Sequence, residues 1–551
     1  MTNKMQVGDM VAEFLEKCGV TTAFGIISVH NIPLLDAIGR RNVIRFVMAR
    51  GEMGGTHMAD AYARVSGKLG VIISSTGPGA ASTTSGLVEA RFAGSPVLHV
   101  TTQGATAYLD RGLGTVHDVP DQLGMLRSVS KAAYRVRSPQ LAFGTLMHAA
   151  AEALTPPMGP VCVEFPIDIQ LAEIERPAAL DQLVLPIPPA LAPAPHTLDA
   201  VCRMVRAARR PLLWTGNGAK HAGDAVARLA KIGIPVVTSW NGRGVLPEDH
   251  PLALGPLGTL PEVERFYETV DLLLVAGSHL RGHETRDCTM RLPERRVQID
   301  VDARANGRTY SSALFVHGDS ALTLAGLADR LEGQWRADAG FGAEIGRLKA
   351  QAISNYRRTL GIYESIPGII RSAMPRDALW VRDITFHQTT WANRIFPVYG
   401  PRDSIYSVGA AIGTGMPLAI GAALAANGRK TVAMCGDGGF LLNLGELWTA
   451  VQEQTDICFL VMNDKGYGVV RHIQDASYGG RQFFCDLLGP NFEDLAKLAG
   501  LPFWRVRSTD ELGRHLAAAL QKRGPTLVEV DMSAIGPFKP LHQPPAYAGK
   551  R

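Results

Sequence analysis

At 551 residues the chain is long enough for about three domains. Its 46% hydrophobic and 19% charged residues exclude extensive disorder, and a net charge of +5 with no compact basic run excludes a nucleic-acid surface. Seven scattered cysteines without a Cys-x-x-Cys pair exclude a disulfide framework or zinc site, so a reducing, cytoplasmic setting and a small-molecule partner are expected.

The N-terminal "MTNKMQVGDMVAEFLEKCGV" predicts an amphipathic helix interrupted by acids rather than an export signal. Short β-rich apolar runs then alternate with helical patterns, the signature of parallel α/β sheets. The strands expected are 68–76, 95–102, 159–166, 210–216, 234–239, 270–278, 295–302, 430–437, 457–464 and 525–531. They are too many for one sheet.

The prolines of "LPIPPALAPAPH" (185–196) exclude regular helix and give a stiff connection. A second polar helical stretch, 340–358, leads into the last unit. The expected organisation is three doubly wound parallel-sheet α/β domains, at 1–184, 196–335 and 355–535, followed by a Pro-rich tail, 536–551. The uncharged run 408–426 has the length of a membrane span. Its Gly and Ala content and Pro417 instead predict a Gly-rich loop followed by a tightly packed buried helix, and no membrane association.

Chemistry concentrates in "CGDGGFLLNLGELWTAVQEQTDICFLVMNDKGYG" (435–468). A strand ends in Gly-Asp-Gly, a helix with Leu444, Leu447, Trp448 and Val451 on one face follows, and a second strand ends in Asn463-Asp464. Alone, Gly-Asp-Gly is equally a turn. With the second strand, Asp437 and Asp464 come to one sheet edge, where open α/β sheets bind ligands. Two carboxylates and the carbonyl of Gly466 make a hard oxygen cluster suited to Mg²⁺. Gly438 and Gly439 let backbone N–H groups approach the same anion.

This spacing resembles the signature of thiamine-diphosphate enzymes, Gly-Asp-Gly followed by a strand ending in Asn-Asn. Asp464 replaces the second Asn, which keeps an oxygen ligand and adds a charge. The resemblance implies cofactor contacts from Tyr467 and Gly468 of "KGYG" as well. It extends to "ARGEMGGTHMADAYARVSGKLGVIISSTGPG" (49–79), in which Glu52 falls where the family places the glutamate that activates the aminopyrimidine. A Glu in a first helical turn is also a common dipole partner. Gly51 replaces the family His and Ala61 the family Gly.

"SVGAAIGTGMPLAIGAAL" is similar to the family's Gly-rich loop and helix. It places Ile412 as the wedge that bends the cofactor and the Ala410 carbonyl as acceptor for the 4′-amino group. "RDITFHQ" resembles a segment adding diphosphate contacts, with Thr385 and His387 as lesser candidates. At the reacting end, "FGIISVHNIPLL" matches an active-site loop but carries Ile27-Ser28 in place of Pro-Gly. His30 falls where benzaldehyde lyase has an active-site His, and His117 falls near a Gln of carboligases. Histidine suits proton transfer near neutral pH, although with fifteen in the chain either can equally be structural.

The resemblance spans nearly the whole chain and is closest to the acetohydroxyacid synthase, benzaldehyde lyase and benzoylformate decarboxylase group. It implies pyrimidine-binding, middle and diphosphate-binding domains, thiamine diphosphate and Mg²⁺. The implied activity is a lyase or carboligase acting on 2-oxo acids or 2-hydroxyketones, or else a simple 2-oxo acid decarboxylase. Glu52 and Asp437 are implied to meet across a subunit interface, hence a homodimer at minimum and a homotetramer as the fuller assembly. In the middle segment "LLWTGNGAKHAG" does not keep dinucleotide spacing, and FAD, found in some relatives, stays unassigned.

Overall fold

The computed structural model describes residues 4–540. Strand β1 (Lys4–Gln6) pairs antiparallel with β8 (Glu173–Glu175), and the remaining eighteen strands form three six-stranded sheets. The first contains β2 (Thr22–Gly25), β3 (Arg45–Met48), β4 (Gly70–Ser74), β5 (Val97–Gln103), β6 (Ala132–Arg135) and β7 (Val161–Pro166), in the order β3-β2-β4-β5-β7-β6. All its pairings are parallel.

The second sheet contains β9 (Pro211–Thr215), β10 (Val236–Thr238), β11 (Ala253–Gly255), β12 (Leu272–Ala276), β13 (Arg296–Asp300) and β14 (Leu314–His317), ordered β11-β10-β9-β12-β13-β14. The third contains β15 (Leu379–Arg382), β16 (Ser404–Tyr406), β17 (Thr431–Gly436), β18 (Ile457–Asn463), β19 (Phe503–Val506) and β20 (Thr526–Asp531), ordered β16-β15-β17-β18-β20-β19. Each order reverses beside its lowest-numbered strand, at β2/β4, β9/β12 and β15/β17, and the first and third turn back again at their last pairs, β7-β6 and β20-β19. It is outside the first kind of reversal that open α/β sheets hold ligands.

Central strands β4, β5, β7, β9, β12 and β18 are buried along their whole length. Burial on both faces is why they read as continuous Val/Ile/Leu runs rather than alternating ones. All ten strands expected from sequence are present. The run 408–426 folds as a loop and the helix Gly415–Ala425, which is almost wholly buried, and among the described residues no helix is long and apolar enough to cross a membrane.

Two expectations are corrected. The helix after Gly-Asp-Gly is broken into Asp437–Leu442 and Glu446–Gln452, with a tight turn at Asn443–Gly445 around which Leu444 N and Glu446 N each bond three residues back. Of the predicted apolar face only Leu447 is buried. Polar Glu446 and Thr449 are buried with it because each has hydrogen-bond partners. The tail also begins inside the fold: Phe538 is buried against His387, with rings stacked at 4.3 Å, and against Tyr363 and Phe386. The rest of the tail, from 541, lies outside the described residues.

Two compact units can be distinguished. One runs up to Pro188 and takes in Ile405–Ala433 and Gly439–Ile457. The other comprises Pro189–Ser404, Met434–Gly438 and the chain from Cys458 onward.

Candidate cofactor and active site

In the second unit Asp437 follows β17, and Asn463 and Asp464 end β18, the neighbouring strand. Asp437 is 2% exposed, and its Oδ1 is buried without a hydrogen-bond partner. Burial raises the pKa of Asp437. Burial and the charge of Asp437 push Asp464 up to about 7. A buried carboxylate with an unpaired oxygen beside a half-buried one, the pair resisting joint ionisation, is what a divalent cation relieves.

Glycines shape the cradle around this pair. A Cβ at Gly468 would collide with Asp464 Oδ2, one at Gly438 would lie 2.8 Å from the Tyr467 ring, and one at Gly466 would strike the Cys485 carbonyl and Arg471. Lys465 adopts a left-handed conformation, φ 59°, which turns the chain between Asp464 and Gly466. Arg471 donates to the Asp464 carbonyl at 2.8 Å, and its Nη1 lies 3.7 Å from Asp464 Oδ2. A cation therefore stands beside the charge that Asp464 adds over the family's Asn. Among the described residues no three His, Cys, Asp or Glu side chains gather as a metal site. The donor set is two carboxylates plus backbone, which suits an ion that keeps phosphate and water ligands.

Thr385, after β15 on the other side of the reversal, caps the short helix Phe386–Thr389 by accepting from Gln388 N at 3.0 Å. A Cβ at Gly436 would lie 3.4 Å from its methyl group. His387 is buried. Its Nδ1 accepts from Trp391 Nε1 at 2.8 Å, its Nε2 lies 3.4 Å from Met532 Sδ, and burial lowers its pKa to about 3. It is a packed neutral ring whose nitrogens are already engaged.

In the first unit the loops after β2, β3 and β4 carry His30, Glu52 and the turn Ser75–Gly79. Glu52 opens the helix Glu52–Ser66. A Cβ at Gly79 would lie 2.8 Å from both Glu52 Oε1 and Ser75 Cβ, so the carboxylate lies against the Gly-Pro-Gly turn. Buried Gln122 fixes that turn by accepting from Gly77 N at 2.6 Å and donating to Glu164 at 2.9 Å. His117, left-handed at φ 65°, has Nδ1 3.5 Å from Ser75 Oγ and its ring 5.2 Å from that of His30. His30 has a buried, unpartnered Nδ1, and burial and His117 lower its pKa, which favours the neutral ring. Asn31 braces the Ile27-Ser28 turn, accepting from Ser28 N at 2.7 Å and donating to the Ile26 carbonyl at 2.9 Å.

The same unit holds the loop before the helix Gly415–Ala425. Ala410 is left-handed, φ 66°, and Ile412 is 48% exposed, just before the buried stretch that begins at Gly413. An exposed Ile and a strained Ala side by side are a functional signal rather than a packing one. Gly439 also belongs to this unit.

Three buried groups went unnoticed in the sequence. Glu89 accepts from Gly409 N at 2.8 Å and from Ser407 Oγ at 2.9 Å, just before Ala410. Arg64, paired with Asp60, donates to the Tyr406 carbonyl at 2.7 Å. Glu446 accepts from Arg50 N and Gly51 N, just before Glu52. The only sequence hint was an unsupported acid or base on an otherwise apolar helix face.

Sequence-family profiles agree with this geometry. The N-terminal TPP binding domain of thiamine pyrophosphate enzymes matches residues 5–125, their central domain 198–327, and their C-terminal TPP binding domain 383–530. The chain belongs to the thiamine pyrophosphate enzyme family. It is 31% identical over 542 residues to a probable 2-ketoarginine decarboxylase of Pseudomonas aeruginosa, covering 96% of this chain and 94% of that one. It is 28% identical to the acetolactate synthase isozyme 1 large subunit of Escherichia coli, covering 98% and 96%. It is also 28% identical to a probable acetolactate synthase large subunit of Methanocaldococcus jannaschii, covering 96% and 92%.

Proposed function

We propose that this chain is a thiamine-diphosphate- and Mg²⁺-dependent enzyme that makes or breaks the C–C bond beside a carbonyl, acting on 2-oxo acids or 2-hydroxyketones. The observation that carries the reading is buried Asp437, with its orphaned oxygen, beside half-buried Asp464 at the ends of adjacent strands. The names of the relatives, acetolactate synthases and a 2-ketoarginine decarboxylase, support the substrate class.

Asp437, Asp464 and the Gly466 carbonyl would hold Mg²⁺. Gly438, Gly439, Tyr467, Gly468 and Thr385 would line the diphosphate, with His387 serving only to hold the Thr385 segment. Ile412 would press between the two rings, and the Ala410 carbonyl would orient the amino group. When bound, thiamine diphosphate supplies a carbon nucleophile and an electron sink at the substrate carbonyl carbon. Glu52 would hold a proton at the aminopyrimidine ring nitrogen, and His30 and His117 would move protons at the substrate oxygen. Two protomers would complete each site, in a homodimer or homotetramer. The free state of all seven cysteines fits a reducing cytoplasm. The three domains are assigned to 1–184, 196–335 and 355–535.

In the middle domain the Gly216–Gly218 turn is taken up by the fold itself. Gly216 N and Gly218 N donate to the carbonyls of Ala276 and Gly277, and a Cβ at Gly216 would collide with the latter.

The purified chain with thiamine diphosphate and Mg²⁺ should be incubated with pyruvate, benzoylformate and 2-ketoarginine in turn, and the products identified. A ligated hydroxyketone supports the carboligase reading. Free aldehyde supports simple decarboxylation, the reading favoured by the first of the relatives above. No turnover with any 2-oxo acid, and none with 2-hydroxyketones, overturns both.

A further inference from the structure

We propose that Glu446 is a positioning residue for Glu52, holding from a distant segment the backbone that aims the Glu52 carboxylate. The inference rests on the reading of Glu52 as the group that protonates the aminopyrimidine.

The helix Glu52–Ser66 has no cap of its own. Its N-cap residue is Gly51, extended at φ −158° and ψ 145°, with no side chain to accept an N–H. The cap comes instead from 395 residues away. Glu446 Oε1 accepts from Gly51 N at 3.1 Å and from Arg50 N at 3.0 Å, so one oxygen fixes the two peptide units that precede Glu52. Its other oxygen accepts from Thr449 Oγ1 at 2.7 Å, which locks the carboxylate plane. Glu446 is 2% exposed, and no water competes for these bonds.

Space is reserved for this contact. A Cβ at Gly54 would collide with Glu446 Oε1, so glycine in the first turn is what admits the carboxylate. The same segment grips the approach to the helix. Gln452 accepts from Arg50 Nη2 at 2.8 Å, and Glu453 accepts from Arg45 Nε at 2.8 Å. On its far side the Glu52 carboxylate lies against the Gly79 turn. Glu52 therefore leaves a backbone fixed at both preceding residues and is confined by a turn in front. A carboxylate at a helix N-terminus is also electrostatically at home there.

The test measures hydrogen–deuterium exchange at C2 of thiamine diphosphate bound to the full chain with Mg²⁺, by rapid quench and NMR, together with the cofactor dissociation constant. Glu52→Gln serves as the reference. A misdirected Glu52 is expected to slow exchange by at least about tenfold in Glu446→Ala, since a 1 Å misplacement costs as much as ~100-fold. The cofactor affinity should stay close to the parent's, while the melting temperature falls because Arg50 N and Gly51 N lose a buried acceptor. Glu446→Gln keeps an acceptor oxygen for both N–H groups and should exchange at the parental rate. If Glu446→Ala does not fold, Glu446→Asp, which withdraws the oxygens by one methylene, must show the same selective slowing.

Parental exchange in Glu446→Ala, or in Glu446→Asp where that variant replaces it, overturns the proposal. So does slowing that only tracks lost affinity, or a Glu446→Gln variant as slow as Glu446→Ala. Parental exchange in Glu52→Gln would instead overturn the reading of Glu52 itself.

Discussion

In the first compact unit Glu89 and Glu446 are 1% and 2% exposed, and each carboxylate accepts several hydrogen bonds from backbone N–H and hydroxyl groups. In the second unit Asp437 is equally buried, at 2%, yet one of its oxygens has no partner and its neighbour is another carboxylate. Burial is the same and bonding is opposite. A satisfied buried carboxylate stabilises the fold around it, whereas an orphaned pair costs stability until something positive and oxygen-seeking arrives. The difference separates braces from the proposed ligands without reference to any relative.

The comparison can be broken by measurement. Glu89→Ala strands Gly409 N and Ser407 Oγ, while Arg64 keeps Asp60, and should cost about 1–3 kcal/mol of unfolding free energy. Denaturant titration of the cofactor-free protein checks this. Asp437→Ala should leave cofactor-free stability undiminished, because it removes one of two mutually repelling charges. It should weaken Mg²⁺-dependent thiamine diphosphate binding by at least about 100-fold, roughly 2.7 kcal/mol. Calorimetry on both variants decides: equal destabilisation by the two would erase the distinction.

A buried orphan that is not a ligand sharpens the contrast. His57 is fully buried with both ring nitrogens unpartnered, and burial lowers its pKa to about 4; His99 is lowered to about 3. Both folded values lie below the ordinary 6.5, so between that value and about 4 the unfolded chain binds protons that the folded chain refuses. Stability is then full above 6.5 and falls with falling pH, by about 1.4 kcal/mol per pH unit for each His. Urea midpoints measured from pH 7.5 to 4.5 should decline, and His57→Leu should flatten the slope. A flat profile in the parent would show that these rings find partners. The smallest effect concerns Ile412. At 48% exposure, truncation to Ala should change cofactor-free stability by less than about 0.5 kcal/mol, while turnover of the loaded enzyme falls. A large loss of stability would make Ile412 core.

Much of this was legible in the sequence where burial wrote itself as composition. The ten foreseen strands, the buried Gly-Ala helix and the Asp437–Asp464 spacing all follow from local apolar runs. The strands that were not foreseen, such as β2, β3, β6, β14, β15, β16 and β19, have three or four residues each, too few for a period to show. Glu446 and Glu89 were illegible for another reason. Their partners lie 396 and 320 residues away, and an acid on an amphipathic helix reads as solvated until the fold brings an N–H to it. The break at Asn443–Gly445 was hidden because Leu444, Leu447, Trp448 and Val451 keep helical spacing across it.

The first and third sheets share one strand order: numbered from its own first strand, each runs 2-1-3-4-6-5. In both, the first and third strands flank the reversal, and in both a Gly-rich turn follows the third, Ser75–Gly79 in one and Gly436–Gly439 in the other. Two copies of one ancestral module, fused and then specialised, would leave this imprint. Under the proposed function one module carries the acid for an organic ring and the other the acids for a metal, a division of labour that such a doubling would permit.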